Sequence, residues 1–344
     1  MSGLFLIKDD NIWILNSAKG VDYLAKIDIT TKKVNCEYVF EESNFGRELF
    51  SDMVAVGNKI LFVPKVSENI YLYSLNEKIM QKKKIKKGII KQFEASYTNF
   101  ANAVVIDDCA FLVPHKYPAM IKVDSNNMNL EYIDCFAQDI LDKHSGGGGF
   151  FERGIGVGNL IHLLCNGSNN ICEYNIENGD YHLKPIGDSG TRLSDLCFDG
   201  INYWMVDNDD RVLKKNTSQD EIEVTFDYNS ADIKKTHDNQ VWNKRIIYIN
   251  NAIWLFSHEY PIIKIDCENM EYKIISDNSE EGEVSRRLNY VDAEAADDCI
   301  YALKQCTNEI NAFNVTQSKM VNNYSLIANG ESVLKAFIEM VSNL

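Results

Sequence analysis

No run of apolar residues in this 344-residue sequence approaches the roughly 20 needed to cross a bilayer as a helix. The N-terminal run Leu4-Phe5-Leu6-Ile7 is stopped by Lys8-Asp9-Asp10; it is too short for a secretory h-region and has no basic leader before it. Proline is scarce, with five residues in all, and the apolar fraction of 45% with 25% charged residues is that of a folded globular chain, not a disordered or collagen-like one. Basic residues are in deficit: 35 Lys+Arg against 50 Asp+Glu leave a formal charge of −15. Nucleic-acid binding requires a basic face, because counterion release supplies most of the affinity, so neither nucleic acid nor a membrane is expected as partner. The one basic run, Lys82-Lys83-Lys84 with Lys86-Lys87, has no interleaved aromatics. It reads as a solvated edge that discourages strand-to-strand pairing, with an anionic contact patch as the alternative.

Metal-ligand spacing is missing as well. The nine cysteines include no C-x-x-C pair and no Cys/His cluster of zinc type, and their number is odd. Most sit in apolar, strand-like runs such as Leu196-Cys197-Phe198, which predicts buried free thiols in a reducing, cytoplasmic compartment. No metal and no cofactor is expected.

What the sequence does have is repetition. A strand-like run, a two-residue turn rich in Gly, Asn and Asp, and a second strand recur seven times. The turns are Asp9-Asp10, Gly57-Asn58, Asp107-Asp108, Gly158-Asn159, Gly200-Ile201, Asn250-Asn251 and Asp297-Asp298, spaced 48, 50, 51, 42, 50 and 47 residues apart. Four positions after each turn begins stand Trp13, Leu61, Phe111, His162, Trp204, Trp254 and Tyr301. Third strands repeat too, as in Met120-Ile121-Lys122-Val123-Asp124 against Ile263-Lys264-Ile265-Asp266. Units three and six share His115-Lys116-Tyr117-Pro118 and His258-Glu259-Tyr260-Pro261. Period-2 alternation with β-branched and aromatic enrichment specifies strands, and turns such as Gly57-Asn58 supply the positive φ that tight hairpins need.

Four antiparallel strands per unit at a period in the 40s describe a β-propeller blade. A lone blade cannot bury both faces, so the large-residue column must pack against the next blade. The expected architecture is all-β: a seven-bladed β-propeller of four-stranded antiparallel blades over residues 1–328, with repeats of about 48 residues. Unit one opens with its innermost strand at Leu4 and unit seven ends with its outermost near Tyr324, so no blade should share strands between the termini. Residues 329–344 carry apolar positions 333, 334, 337, 338 and 341 at helical spacing and predict a short C-terminal helix packing on the propeller. A second helix is expected over 136–143.

On these repeats the chain resembles the β-propeller class, especially bacterial kelch-like and YVTN-like repeat proteins. The Gly-Gly doublets of kelch and the Trp-Asp dipeptides of WD40 are missing, so the resemblance is architectural and carries no functional residues.

A propeller of this kind binds ligands at the face where loops enter the innermost strands. Five residues before each turn stand Leu4, Asp52, Asn102, Arg153, Asp195, Arg245 and Asp292, six of the seven polar in otherwise apolar strands. Loops on that face add His115, His258 and Tyr260, and Trp242 offers a stacking plane near Arg245. The set predicts a top-face pocket for a small anionic or sugar-like ligand. A competing reading is structural: Arg153, Asp195, Arg245 and Asp292 alternate in sign, and neighbours at ~8 Å would attract by about 2 kcal/mol at an effective dielectric of about 20. His115 and His258 are the candidates for acid–base work, because imidazole titrates near neutrality. His162, in the large-residue column, reads as a core histidine. Gly146 to Gly149 have neither phosphate-loop spacing nor a following helix. The expectation is therefore a cytoplasmic binding or scaffold module for a protein partner or small polar ligand. The alternative is a carbohydrate-active enzyme (sugar lactonase, hydrolase or lyase) using the same pocket.

Overall fold

The computed structural model describes residues 4–18, 21–42, 48–86, 98–143, 149–217, 221–231, 233, 244–257, 260–275, 290–304 and 309–326, with 334 and 338. Its strands form seven separate four-stranded antiparallel sheets, each built from four consecutive strands. Blade one comprises β1 (Leu4–Lys8), β2 (Asn11–Ala18), β3 (Val21–Asp28) and β4 (Val34–Val39). Blade two has β5 (Phe50–Val56), β6 (Lys59–Pro64), β7 (Asn69–Ser74) and β8 (Met80–Lys84). Blade three has β9 (Phe100–Ile106), β10 (Cys109–Pro114), β11 (Met120–Asp124) and β12 (Leu130–Ile133). A helix, α1 (Ala137–Lys143), precedes blade four: β13 (Phe151–Val157), β14 (Leu160–Cys165), β15 (Asn170–Asn175) and β16 (Tyr181–Pro185). Blade five follows with β17 (Leu193–Phe198), β18 (Asn202–Asp207), β19 (Arg211–Asn216) and β20 (Ile222–Asp227). Blade six has β21 (Lys244–Ile249), β22 (Ala252–Ser257), β23 (Ile262–Asp266) and β24 (Tyr272–Ile275); blade seven has β25 (Tyr290–Ala296), β26 (Cys299–Lys304), β27 (Glu309–Asn314) and β28 (Lys319–Ser325). The fold is thus the seven-bladed β-propeller, and no blade mixes strands from the two termini.

Two compact units divide the chain. One holds blades one to four, the other blades five to seven over Thr191–Ile327. Of the expected C-terminal helix only Leu334 and Ile338 are described; both are helical and more than half exposed. No described helix is long and apolar enough to cross a membrane.

Turn chemistry sets the blades. Asp9, Asp10, Gly57, Asp107, Gly158, Asn250, Asn251 and Asp297 all have φ between 48° and 58°, the left-handed region a two-residue hairpin demands. In blade five Gly200 (φ 101°) opens the turn, and Asp199 closes it by accepting the Ile201 and Asn202 N–H groups at 2.8 and 2.6 Å. The turns between third and fourth strands form a further repeat. An Asp, Asn or Ser carbonyl accepts the N–H four residues on, from Lys32, Lys78, Met128, Gly179, Ala231, Met270 and Ser318, at 2.8–3.0 Å. All of these except Ala231 sit at positive φ.

The large-residue column is buried in every blade, from 0% exposure at Leu61, Trp204 and Trp254 to 7% at Tyr301. It packs between neighbouring blades. One core joins Leu61 and Leu72 of blade two to Phe100, Leu112 and Ile121 of blade three, and another joins Trp204 and Phe226 of blade five to Ile263 and Ile265 of blade six. Each such side chain contributes about 1.5–3 kcal/mol by leaving water. Lys26, Lys122, Lys214 and Lys264 lie over Trp13, Phe111, Trp204 and Trp254 at 5.3–5.9 Å, each directly across the ladder from its ring.

Candidate functional site

Asp52, Asn102 and Arg153 stand on successive innermost strands of the four-blade unit (β5, β9, β13), and Asp195, Arg245 and Asp292 on those of the three-blade unit (β17, β21, β25). In five of these six strands the ladder register shifts at or beside the column residue, between Phe50 and Asp52, Leu112 and Pro114 opposite Asn102, Phe151 and Arg153, Leu193 and Asp195, and Tyr290 and Asp292. A bulge re-aims the side chain beside it. Here it turns the polar group along the row of inner strands.

What those side chains meet is the backbone of the next blade. Asp52 accepts the N–H of its neighbour Met53 on Oδ1 (2.9 Å) and that of Ala103, in blade three, on Oδ2 (3.2 Å). Asn102 exchanges two bonds with Gly154 of blade four, accepting its N–H and donating to its carbonyl, both at 2.9 Å. Asp195 repeats the Asp52 pattern, taking Leu196 N–H on Oδ1 and Ile246 N–H, in blade six, on Oδ2, both at 3.0 Å. In each case the acceptor of one blade binds the N–H that follows the column residue of the next. This is a blade-to-blade clasp: Asn102 is 4% exposed and Asp195 1%, while Asp52 is half-buried.

The charges pair as well. Arg245 Nη1 lies 3.5 Å from Asp195 Oδ2, and Arg245 Nε is 2.7 Å from Asp292 Oδ1, an ion contact without linear hydrogen-bond geometry. Arg245 Nη2 also donates to the Ala293 carbonyl at 3.4 Å. These separations are less than half the ~8 Å expected between neighbours, so the attraction is correspondingly stronger and desolvation larger. The guanidinium is held between two carboxylates, and its side chain is 20% exposed.

The loop residues divide. His115 is half-buried, its Nδ1 2.9 Å from the Phe151 carbonyl while its own carbonyl accepts the Phe150 N–H. Tyr260 is buried, donates to Asp210 at 2.8 Å and stacks on Tyr228 at 4.1 Å between ring centres. Its counterpart Tyr117 donates to the Lys86 carbonyl at 2.8 Å. Both tyrosines of the His-x-Tyr-Pro pair thus fasten a blade to its predecessor. His258, Trp242 and Gly146 to Gly148 lie outside the described residues.

His162 is buried in the column, with Nδ1 3.5 Å from Glu173; desolvation lowers its pKa to about 4 despite that carboxylate, so it is neutral at physiological pH. The thiols are less buried than expected: Cys165 and Cys172 are buried, Cys135 is exposed, and five others are intermediate. Burial raises Cys36 and Cys267 to about 11 and also pushes Cys172 and Cys197 well above the usual thiol value, so none of these four is an activated nucleophile. Among the described residues no three His, Cys, Asp or Glu side chains are grouped to hold a metal. Two lysines of the basic run are paired with carboxylates, Lys82 with Glu41 and Lys84 with Glu68 at 2.7 and 2.8 Å.

Sequence reasoning found the column but not the clasp or the bulges. The signal was available in outline: Asp52, Asn102 and Asp195 each sit one repeat and one residue before the N–H they bind.

No protein-family model matches the chain, and no curated protein matches it in sequence. Solved structures match in fold. "YCF48 bound to D1 peptide" is 10% identical at a TM-score of 0.62, over 88% of this chain and 89% of that one. The computationally designed Ika8 protein is 8% identical (TM-score 0.58; 93% and 86% covered). Dihydro-heme d1 dehydrogenase NirN in complex with DHE is 10% identical (TM-score 0.56; 94% and 66% covered). At such identity the likeness is one of architecture.

Proposed function

We propose that this protein is a binding or scaffold module that receives a protein or peptide on the end where loops enter the innermost strands. The observation that carries the reading is the occupation of the polar column. Asp52, Asn102 and Asp195 are committed to backbone groups of neighbouring blades, and Arg245 to two carboxylates. Groups so engaged are poorly placed to act as acid, base or nucleophile. An anion would reach Arg245 only by competing with Asp195 and Asp292. The peptide named with YCF48 is a precedent for the fold, not for this surface. The eight described cysteines are free thiols, which supports a reducing compartment and hence the cytoplasm.

The test is a thermal-shift panel of sugars, sugar acids and inorganic phosphate beside a peptide-display selection. A ligand that binds only the native state raises Tm by mass action. The expected outcome is no shift with the small molecules, and a selected peptide whose binding weakens in Lys116→Glu. A sugar-induced rise in Tm that vanishes in Arg245→Met would replace the peptide with a small polar ligand, and turnover of a sugar lactone lost in Arg153→Ala would replace this reading with the enzyme.

A further inference from the structure

We draw no further inference here: the strongest candidate, the exposed carboxylates Asp107 and Asp108 at the hairpin turn of blade three, is an acidic cluster alone, and nothing in the structure shows what covers it.

Discussion

Asp199 shows how much one side chain can hold. Its Oδ1 takes the Ile201 and Asn202 N–H groups, and its Oδ2 takes the Asn202 amide and the indole N–H of buried Trp204 at 2.9 and 2.7 Å. Burial alone would raise its pKa, but these donors outweigh it and hold the carboxyl below the usual aspartate value. The sign follows: a depressed carboxyl stabilises the fold above its unfolded pKa, near 4, and that contribution disappears as pH falls through the lower folded value. Asp199→Ala should cost about 2–3 kcal/mol, chiefly by orphaning the turn amides and the indole N–H; urea denaturation at pH 7 measures it. His162 runs the other way in protonation but not in outcome. Its folded pKa of about 4 lies below the unfolded value near 6.5, so the unfolded chain takes up a proton first and stability drains away between those two pH values. His162→Phe, which restores the ring type found at Phe111, should flatten Tm between pH 6.5 and 4 relative to the parent; unchanged curvature there would assign the acid sensitivity elsewhere.

At the scale of the element, the turn joining third and fourth strands is the informative one. Six of the seven blades use a left-handed residue there, yet only blade four makes it glycine, Gly179 at φ 77°; Lys78 occupies the same site at φ 56°. A Cβ on Gly179 would meet nothing nearer than the Tyr174 hydroxyl at 4.0 Å, so the cost of Gly179→Ala is backbone strain alone, about 1–2 kcal/mol. Lys78→Gly should move the other way, gaining up to about 1 kcal/mol less whatever the 3.4 Å contact of exposed Lys78 with the largely buried Glu37 carboxylate contributes. Opposite shifts in urea midpoint check both. Gly154 differs again: a Cβ there would press to 2.6 Å from Val113 and 2.9 Å from Leu163, so Gly154→Ala should destabilise by about 1–3 kcal/mol through overpacking.

The strands, the hairpin turns, the buried column and α1 were all legible in the residues, because period-2 alternation and positive-φ turn chemistry are local signals. The clasp was not. A carboxylate in an apolar strand reads alike whether it faces a ligand or the next blade's amide, and the bulges that decide between them at Asp52 and Asp195 leave no mark in composition. Asp10, Asn58, Asp108, Asn159, Asn251 and Asp298 were recognised as turn residues. That their carbonyls bind the third-to-fourth-strand turn of the same blade, at 2.9–3.1 Å, could not be read from spacing.

At the scale of the whole molecule, cohesion between neighbouring blades within each unit rests on large apolar side chains packed between them plus this polar stitching. Asn102→Ala strands both the N–H and the carbonyl of Gly154, and should cost about 2–3 kcal/mol. Asp195→Ala should cost more than Arg245→Met, because removing the carboxylate orphans two buried amides and leaves the guanidinium under-paired, whereas methionine retains the aliphatic packing. Equal losses in equilibrium unfolding would deny the backbone bonds their assigned weight. If the column is a clasp, variants that weaken it lower stability without changing which peptide is recognised.

Because Asp52, Asn102 and Asp195 each grip the following blade at one and the same offset, the amide-accepting part of the coupling is interchangeable. Excising the third repeat in full would bring the Asp52 carboxylate to the Gly154 amide in the register it now uses for Ala103. Loss of that repeat would therefore keep the amide bond but leave the Gly154 carbonyl, which now accepts from Asn102, without that donor, whereas an insertion of any other length would break both.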